Sequence, residues 1–205
     1  IDEDGGYVVN AGETDGQWTN ENAAGGVDSF LQRIDTTVDG NSVVPVVAWI
    51  RQVGSAGHDE SGVGGSTSTS SPLLIGDSSG AVSGQPQLGG KDAFFYIASS
   101  ADSTINVRQR GTAGNEDLSG GIYGTNNVWL VGQSTGNYSV ESGDGNRSLK
   151  RRQINSQAGF ALSYTALGDV TRAFTFNDLD DASTESLRAV RTYDRDILVA
   201  GSTNG

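Results

Sequence analysis

The chain has no cysteine and no methionine, and its 205 residues include one histidine and three prolines. Without cysteine there is no disulfide, no thiol nucleophile and no Cys-based zinc site. Without methionine as well, the main oxidisable side chains are missing, which accords with a place outside the cell. Basic residues are few: 13 Lys and Arg against 25 Asp and Glu give a formal charge of −12. Nucleic acid is disfavoured as a partner, because binding to phosphates rests on Lys and Arg displacing counterions. No apolar run approaches the length of a membrane-spanning helix, so membrane insertion is not expected. The acidic balance suits an extracellular or cell-surface protein. The sequence starts at Ile1 with no signal-peptide pattern, which reads as a processed or excised boundary.

Glycine is what the chain has in quantity, 30 residues, while hydrophobic residues make up 35%. Much glycine, few charges and no low-complexity run point to tight turns between short strands, hence an all-β fold. Four segments share one form, an apolar run followed by Gly, three polar residues and Gly: Val9–Gly16, Leu74–Gly80, Leu130–Gly136 and Val199–Gly205. Their first glycines, Gly12, Gly76, Gly132 and Gly201, lie 64, 56 and 69 residues apart. Other landmarks keep the same order. Gly26-Val27-Asp28-Ser29-Phe30-Leu31 matches Gly90-Lys91-Asp92-Ala93-Phe94-Phe95 and, more loosely, Ala158–Leu162; Arg51-Gln52-Val53-Gly54-Ser55 matches Arg108-Gln109-Arg110-Gly111-Thr112. The third copy has drifted to Phe174–Asp181 at the latter landmark.

These spacings divide the chain into a leading strand (1–16) and three repeats, 17–80, 81–136 and 137–205, within one domain. In the second repeat the pattern predicts strands over Ala93–Ala98, Thr104–Arg110, Leu118–Tyr123 and Asn127–Gln133, a four-stranded antiparallel meander. Length differences are expected in loops, at Val38–Pro45 and around Gly143–Gln157. The runs Leu73–Ile75, Val128–Val131 and Ile197–Ala200 are continuously apolar, as a strand covered on both faces requires. Propeller blades supply that cover, whereas a two-layer sandwich would leave one face wet and alternating. A β-trefoil is the alternative, although its units are usually shorter.

The order Asp-Ala-Phe, Arg-Gln-x-Gly-Thr, then an apolar strand and Gly-x-Ser/Thr-x-Gly resembles the bacterial seven-bladed β-propeller repeat family, the SBBP-type repeats. The resemblance spans essentially the whole chain and weakens in the middle of the third copy. It implies a propeller module of large exported or cell-surface bacterial proteins, with no catalytic residues to carry over. Three blades and a strand of a fourth do not close a ring, so the resemblance implies a partial propeller, or one assembled with further copies or protein partners.

Candidate sites are few. His58 with Asp59 and a serine would be the material of a triad, but it stands in a turn where the other copies have Asn115 and Asp181. The acidic turns Asp59-Glu60, Glu116-Asp117 and Asp178 with Asp180-Asp181 recur at equivalent positions and would share a rim. Oxygen-rich rims of this kind can take Ca²⁺, although Asp-Gly-Asn sequences are also ordinary hairpin turns. Arg147, Lys150, Arg151 and Arg152 form the one basic cluster, a candidate docking point for an acidic partner. Trp18, after a glycine turn, is placed to stack on a sugar, while Trp129 belongs to a core strand. Arg51 and Arg108 are expected to tie blades together. The leading expectation is a non-catalytic structural or binding module acting in adhesion or assembly. The alternatives are a calcium-stabilised, carbohydrate-binding, lectin-like propeller and a glycoside hydrolase using paired carboxylates.

Overall fold

A computed structural model describes residues 6–19, 21, 23–39, 42–66, 71–98, 104–124, 127–136, 157–165, 169–176, 185–193 and 196–203. These residues form thirteen strands and one 3₁₀ turn, Val82–Gly84, and no α-helix occurs among them. The strands are β1 (Tyr7–Thr14), β2 (Asp28–Asp39), β3 (Ser42–Val53), β4 (Asp59–Ser66), β5 (Leu73–Ser78), β6 (Asp92–Ala98), β7 (Thr104–Arg110), β8 (Glu116–Tyr123), β9 (Asn127–Ser134), β10 (Ala158–Thr165), β11 (Val170–Phe176), β12 (Glu185–Tyr193) and β13 (Asp196–Thr203). The fold is all-β, and the four strands expected in the second repeat correspond to β6 to β9.

Pairing groups the strands into antiparallel meanders: β1-β2-β3, β4-β5-β6-β7, β8-β9-β10-β11 and β12-β13. The two four-stranded meanders meet through a short parallel contact, Gly65 with Ile122 and Ser66 with Tyr123. The sheets are therefore out of phase with the sequence repeats by two strands. The divisions after residues 80 and 136 fall in the middle of a sheet, and the second repeat contributes β6 and β7 to one meander and β8 and β9 to the next. A repeating sequence has no intrinsic start. The Gly-x-x-x-Gly signature that marks the period most clearly closes a central strand, not a sheet.

Alternate residues of the central strands enter different cores. Leu73, Ile75, Phe95 and Ile97 pack against Val128, Leu130, Phe160, Leu162 and Tyr164 of the following meander. Their neighbours Leu74, Phe94 and Tyr96 pack on the other face, against Leu31, Trp49 and Val53 of the preceding one. In the same way Val128 and Leu130 face back while Trp129 and Val131 face forward, toward Leu187 and Val190 of β12. This double cover is why the runs are continuously apolar: both sides of the pleat are buried, so neither is polar. Every residue of β5 and β6 is buried. The two terminal sheets have one covered face only, and Val8 on β1 and Leu198 on β13 are 56% and 61% exposed.

Much of one expected loop is strand. Val38–Asp39 and Ser42–Pro45 extend the β2–β3 ladder, with Thr36 opposite Pro45, Thr37 opposite Val44 and Asp39 opposite Ser42. The β-branched run Val43-Val44-Pro45-Val46-Val47 favours extended backbone, and β3 is an edge strand, where a proline's missing N–H breaks no ladder. The region around Gly143–Gln157 lies, apart from Gln157, outside the described residues.

Phe95 is 1% exposed, and its ring centroid lies 5.5 Å from that of Tyr164 on the next meander. Phe95→Ala is expected to lower unfolding free energy by roughly 3–5 kcal/mol, read from urea denaturation. A loss below about 1 kcal/mol would mean that these two sheets do not pack as described.

Candidate functional site

The best-defined polar assembly is a latch at one end of the sheets, built twice from the residues that recur in sequence. In the first copy, Asp28 opens β2 and Asp59 opens β4; in the second, Asp92 opens β6 and Glu116 opens β8. All four are essentially unexposed. The Asp59 carboxylate accepts the Ser55 N–H at 2.7 Å and the Ser55 hydroxyl at 2.9 Å, turning the Gly54–Asp59 segment back on itself. The Glu116 carboxylate accepts the Thr112 N–H at 2.8 Å, the Thr112 hydroxyl at 2.5 Å and the Ser134 hydroxyl at 2.7 Å. Ser55 likewise meets Ser78 Oγ at 3.1 Å. The Gly57 and Gly114 N–H groups, each at 3.0 Å, then donate to the hydroxyls of Ser55 and Thr112. Backbone bonds Asp59 N–H to Val27 C=O and Glu116 N–H to Lys91 C=O, both 2.9 Å, join each sheet to the next.

Asp28 and Asp92 bind the other side of the joint. Asp28 accepts the Ala24 N–H at 2.8 Å and Gln52 Nε2 at 2.7 Å; Asp92 accepts the Leu88 N–H at 2.7 Å and Gln109 Nε2 at 3.3 Å. Each glutamine also donates to the carbonyl of the repeat's second glycine, Gly16 or Gly80, at 2.9 and 2.8 Å. Its carbonyl accepts the N–H of Trp18 or Val82, at 3.1 and 2.7 Å. In the Arg-Gln pair the glutamine ties together the strands of its own sheet, since one amide both donates and accepts. Arg51 pairs with Glu21 at 2.8 Å, and Arg108 donates to its neighbour's carbonyl at 2.8 Å.

Strand alternation decides what the acidic turns do. Asp59 and Glu116 point inward into the latch. Glu60 and Asp117, one residue on, point outward toward Lys91, whose ammonium lies 3.0 Å from Glu60, 3.0 Å from Asp77 and 3.8 Å from Asp117. Burial pulls the Lys91 pKa down, but hydrogen bonds and attraction from Glu60 and Asp77 outweigh it, and the ammonium is held above the usual lysine range. Burial pushes the Asp77 carboxyl up, with Lys91 opposing. These groups border a cleft of about 210 Å³ lined by Glu13, Glu60, Ser61, Asp77, Leu118 and Ser119. One member of each described acidic pair, Glu60 and Asp117, thus faces Lys91, and no group of three or more potential metal ligands gathers among the described residues. Asp178, Asp180 and Asp181 lie outside those residues, as do Arg147, Lys150, Arg151 and Arg152.

His58 is half exposed, and its Nε2 lies 3.5 Å from Glu60, while Asp59 turns to Ser55. The His58-Asp59 neighbours in sequence therefore do not form an oriented base. Trp18 is 39% exposed and packs edge-on against Phe30 with centroids 5.6 Å apart. It borders a cleft of about 650 Å³ with Glu21, Gln32, Val47, Trp49 and Arg51. Trp129 is buried between sheets, as expected of a core strand.

Sequence reasoning passed over Asp28, Asp92, Gln52, Gln109, Ser55, Thr112 and Gly54 as functional parts, although all stand in the repeated landmarks. The signal was there: a polar residue repeated next to buried strands needs a buried partner.

The glycine of Arg-Gln-x-Gly is required by this packing. A Cβ on Gly111 would overlap Asp92 and lie 2.6 Å from Glu116 Oε2, whereas one on Gly62 would meet nothing within 4 Å. Gly111→Ala is expected to cost roughly 1–3 kcal/mol, and Gly62→Ala less than about 0.5 kcal/mol, both by thermal or urea unfolding. Equal effects would show that the close approach at Gly111 is not what selects glycine.

Compared with known protein families and with curated protein sequences, the chain matches none.

Proposed function

We propose that the chain is a non-catalytic β-propeller module, of the SBBP-repeat kind, belonging to an exported or cell-surface bacterial protein and acting in adhesion or assembly. One observation carries the propeller reading. β4 and β8 open successive four-stranded meanders and run parallel side by side, and β12 packs on β8 in turn. First strands that gather in parallel while their sheets pack face to face are what blades around a common axis require. Support for a binding rather than catalytic role comes from where the polar chemistry sits: the repeated carboxylates hold the frame together, which leaves the loops to carry recognition. Partners on this reading are other proteins or further copies of the repeat.

A structure of the chain within its natural protein is expected to show the sheets fanned about an axis with β4, β8 and β12 innermost. Sheets stacked in one flat pile, or hydrolysis of a polysaccharide by the purified chain, would overturn the reading.

A lectin-like role is the second reading, and the Trp18 cleft favours it. Within that lining the Trp49 indole N–H is buried without a hydrogen-bond acceptor among the described residues. An apolar ring face beside an unmatched donor suits a sugar. A glycan array would show binding that Trp18→Ala abolishes; an array without signal removes this reading and leaves the first.

A further inference from the structure

The first two copies of the repeat build one row across the sheet alike and fill it differently. The register that sets Leu74 opposite Tyr96, and Tyr96 opposite Val107, sets Asn10 opposite Gln32, and Gln32 opposite Ile50. Trp18 donates its N–H to the Gln52 amide oxygen as Val82 does to that of Gln109, so Trp18 stands where Val82 stands. In the second copy the row is closed: Leu74, Tyr96 and Val82 are buried in one apolar core, with Val107 partly buried against it. In the first copy the same places hold an exposed asparagine, a half-buried glutamine and an exposed indole. A row that is apolar under a sister sheet has become polar where the Trp18 cleft opens.

The chemistry of the lining selects among ligands. Its charged residues are Glu21 and Arg51, which pair at 2.8 Å. The other Glu21 oxygen accepts the Gln52 N–H at 3.1 Å, so both carboxylate oxygens are already engaged and offer little to a cation. An anion meets a chain of formal charge −12 and, in the lining, a guanidinium already matched by Glu21. The remaining polar side chains are neutral: the Gln32 amide, the Thr19 hydroxyl and the buried Trp49 indole N–H, which has no acceptor among the described residues. Beside them stands the Trp18 ring, supported edge-on by Phe30 with centroids 5.6 Å apart. An amide and a hydroxyl both donate and accept, as sugar hydroxyls do, and the apolar face of a sugar ring packs on an indole.

We propose that the Trp18 cleft is a subsite for an uncharged saccharide, with one ring laid on Trp18 and its hydroxyls bound by Gln32 and Thr19, and that charged glycans are excluded from it. This rests on the lectin-like reading and adds the class of sugar. Gln32→Tyr restores the residue that closes this row in the second copy, and so fills the subsite.

The test applies the purified chain to an array carrying neutral glucans, mannans, galactans and xylans beside uronate-containing, sulfated and amino-sugar glycans. Signal is expected on neutral members and not on charged ones. It is expected to be unchanged between about 50 mM and about 500 mM NaCl, since salt screens charge attraction and leaves stacking in place. Trp18→Ala, shown to be folded by its melting temperature, is expected to weaken binding to the same members at least about tenfold. Gln32→Tyr is expected to do the same, and serves if the first variant does not fold. Signal on charged glycans, or signal lost at the higher salt, overturns the proposal and leaves the lectin-like reading standing. Binding to neutral glycans that Trp18→Ala, or Gln32→Tyr in its place, retains also overturns it, by putting the site elsewhere. An array without signal overturns this proposal and the lectin-like reading together.

Discussion

The structure depends on a short polar tie made at the two described points where one sheet hands over to the next. A β-meander with both faces apolar has no intrinsic reason to stop at four strands or to face its neighbour in a fixed register. The turn at Gly54–Asp59, and again at Gly111–Glu116, imposes both. It holds the first strand of the new sheet by its carboxylate and the previous sheet by a backbone bond, while the glutamine just before the turn ties strands of that previous sheet to one another. The carboxylates and their Ser55 and Thr112 partners are buried, so removing one leaves the others without water to replace it, and the cost is larger than the modest net value of a single hydrogen bond. The apolar cores then add most of the burial, but their alternation makes sense only once the sheets are set opposite each other.

This division of labour explains which residues repeat. The apolar positions vary freely within their class: Ala11, Ile75, Val131 and Ala200 occupy one place in the signature. In the first two copies the polar latch and its glycines are kept, because a change of one atom there meets a carboxylate or a backbone carbonyl. Gly76 and Gly132 show the same constraint within strands. A Cβ at either would overlap the carbonyl of the facing first strand, that of Glu60 or of Asp117. The signature glycine therefore marks close approach between paired strands, not a turn.

Much of this was legible. Continuous apolar runs predicted strands covered on both faces, and β5 and β9 are so covered because sister sheets flank them. The period was also legible, but its phase was not, since no landmark distinguishes the middle of a sheet from its boundary. In the described acidic turns, sequence adjacency hides direction. Asp59 and Glu60 look like one cluster, yet a strand begins there and sends them to opposite sides. Extending the reading by the two-residue alternation of β4 and β8 would have separated them. The extended β2–β3 ladder was missed because a length difference between copies was assigned to a loop, when the added residues lengthen two strands instead.

The third joint shows what the frame can relinquish. There the Asp of β6 is replaced by Ala158 and the Gln of β7 by Thr175, while the strands β10 and β11 keep their pairing. A lone carboxylate left without its glutamine would be buried and unsatisfied, and a lone glutamine would lose its acceptor, so single losses are penalised and the joint loss is tolerated. The same reasoning separates frame from surface. Residues whose partners are buried in the latch can change only in company, whereas exposed residues bordering the Trp18 cleft, such as Val47, stand outside the latch. Variation driven by recognition would therefore collect around that cleft and in the loops, with the latch left alone. That separation is what allows a repeated scaffold to present different surfaces without refolding.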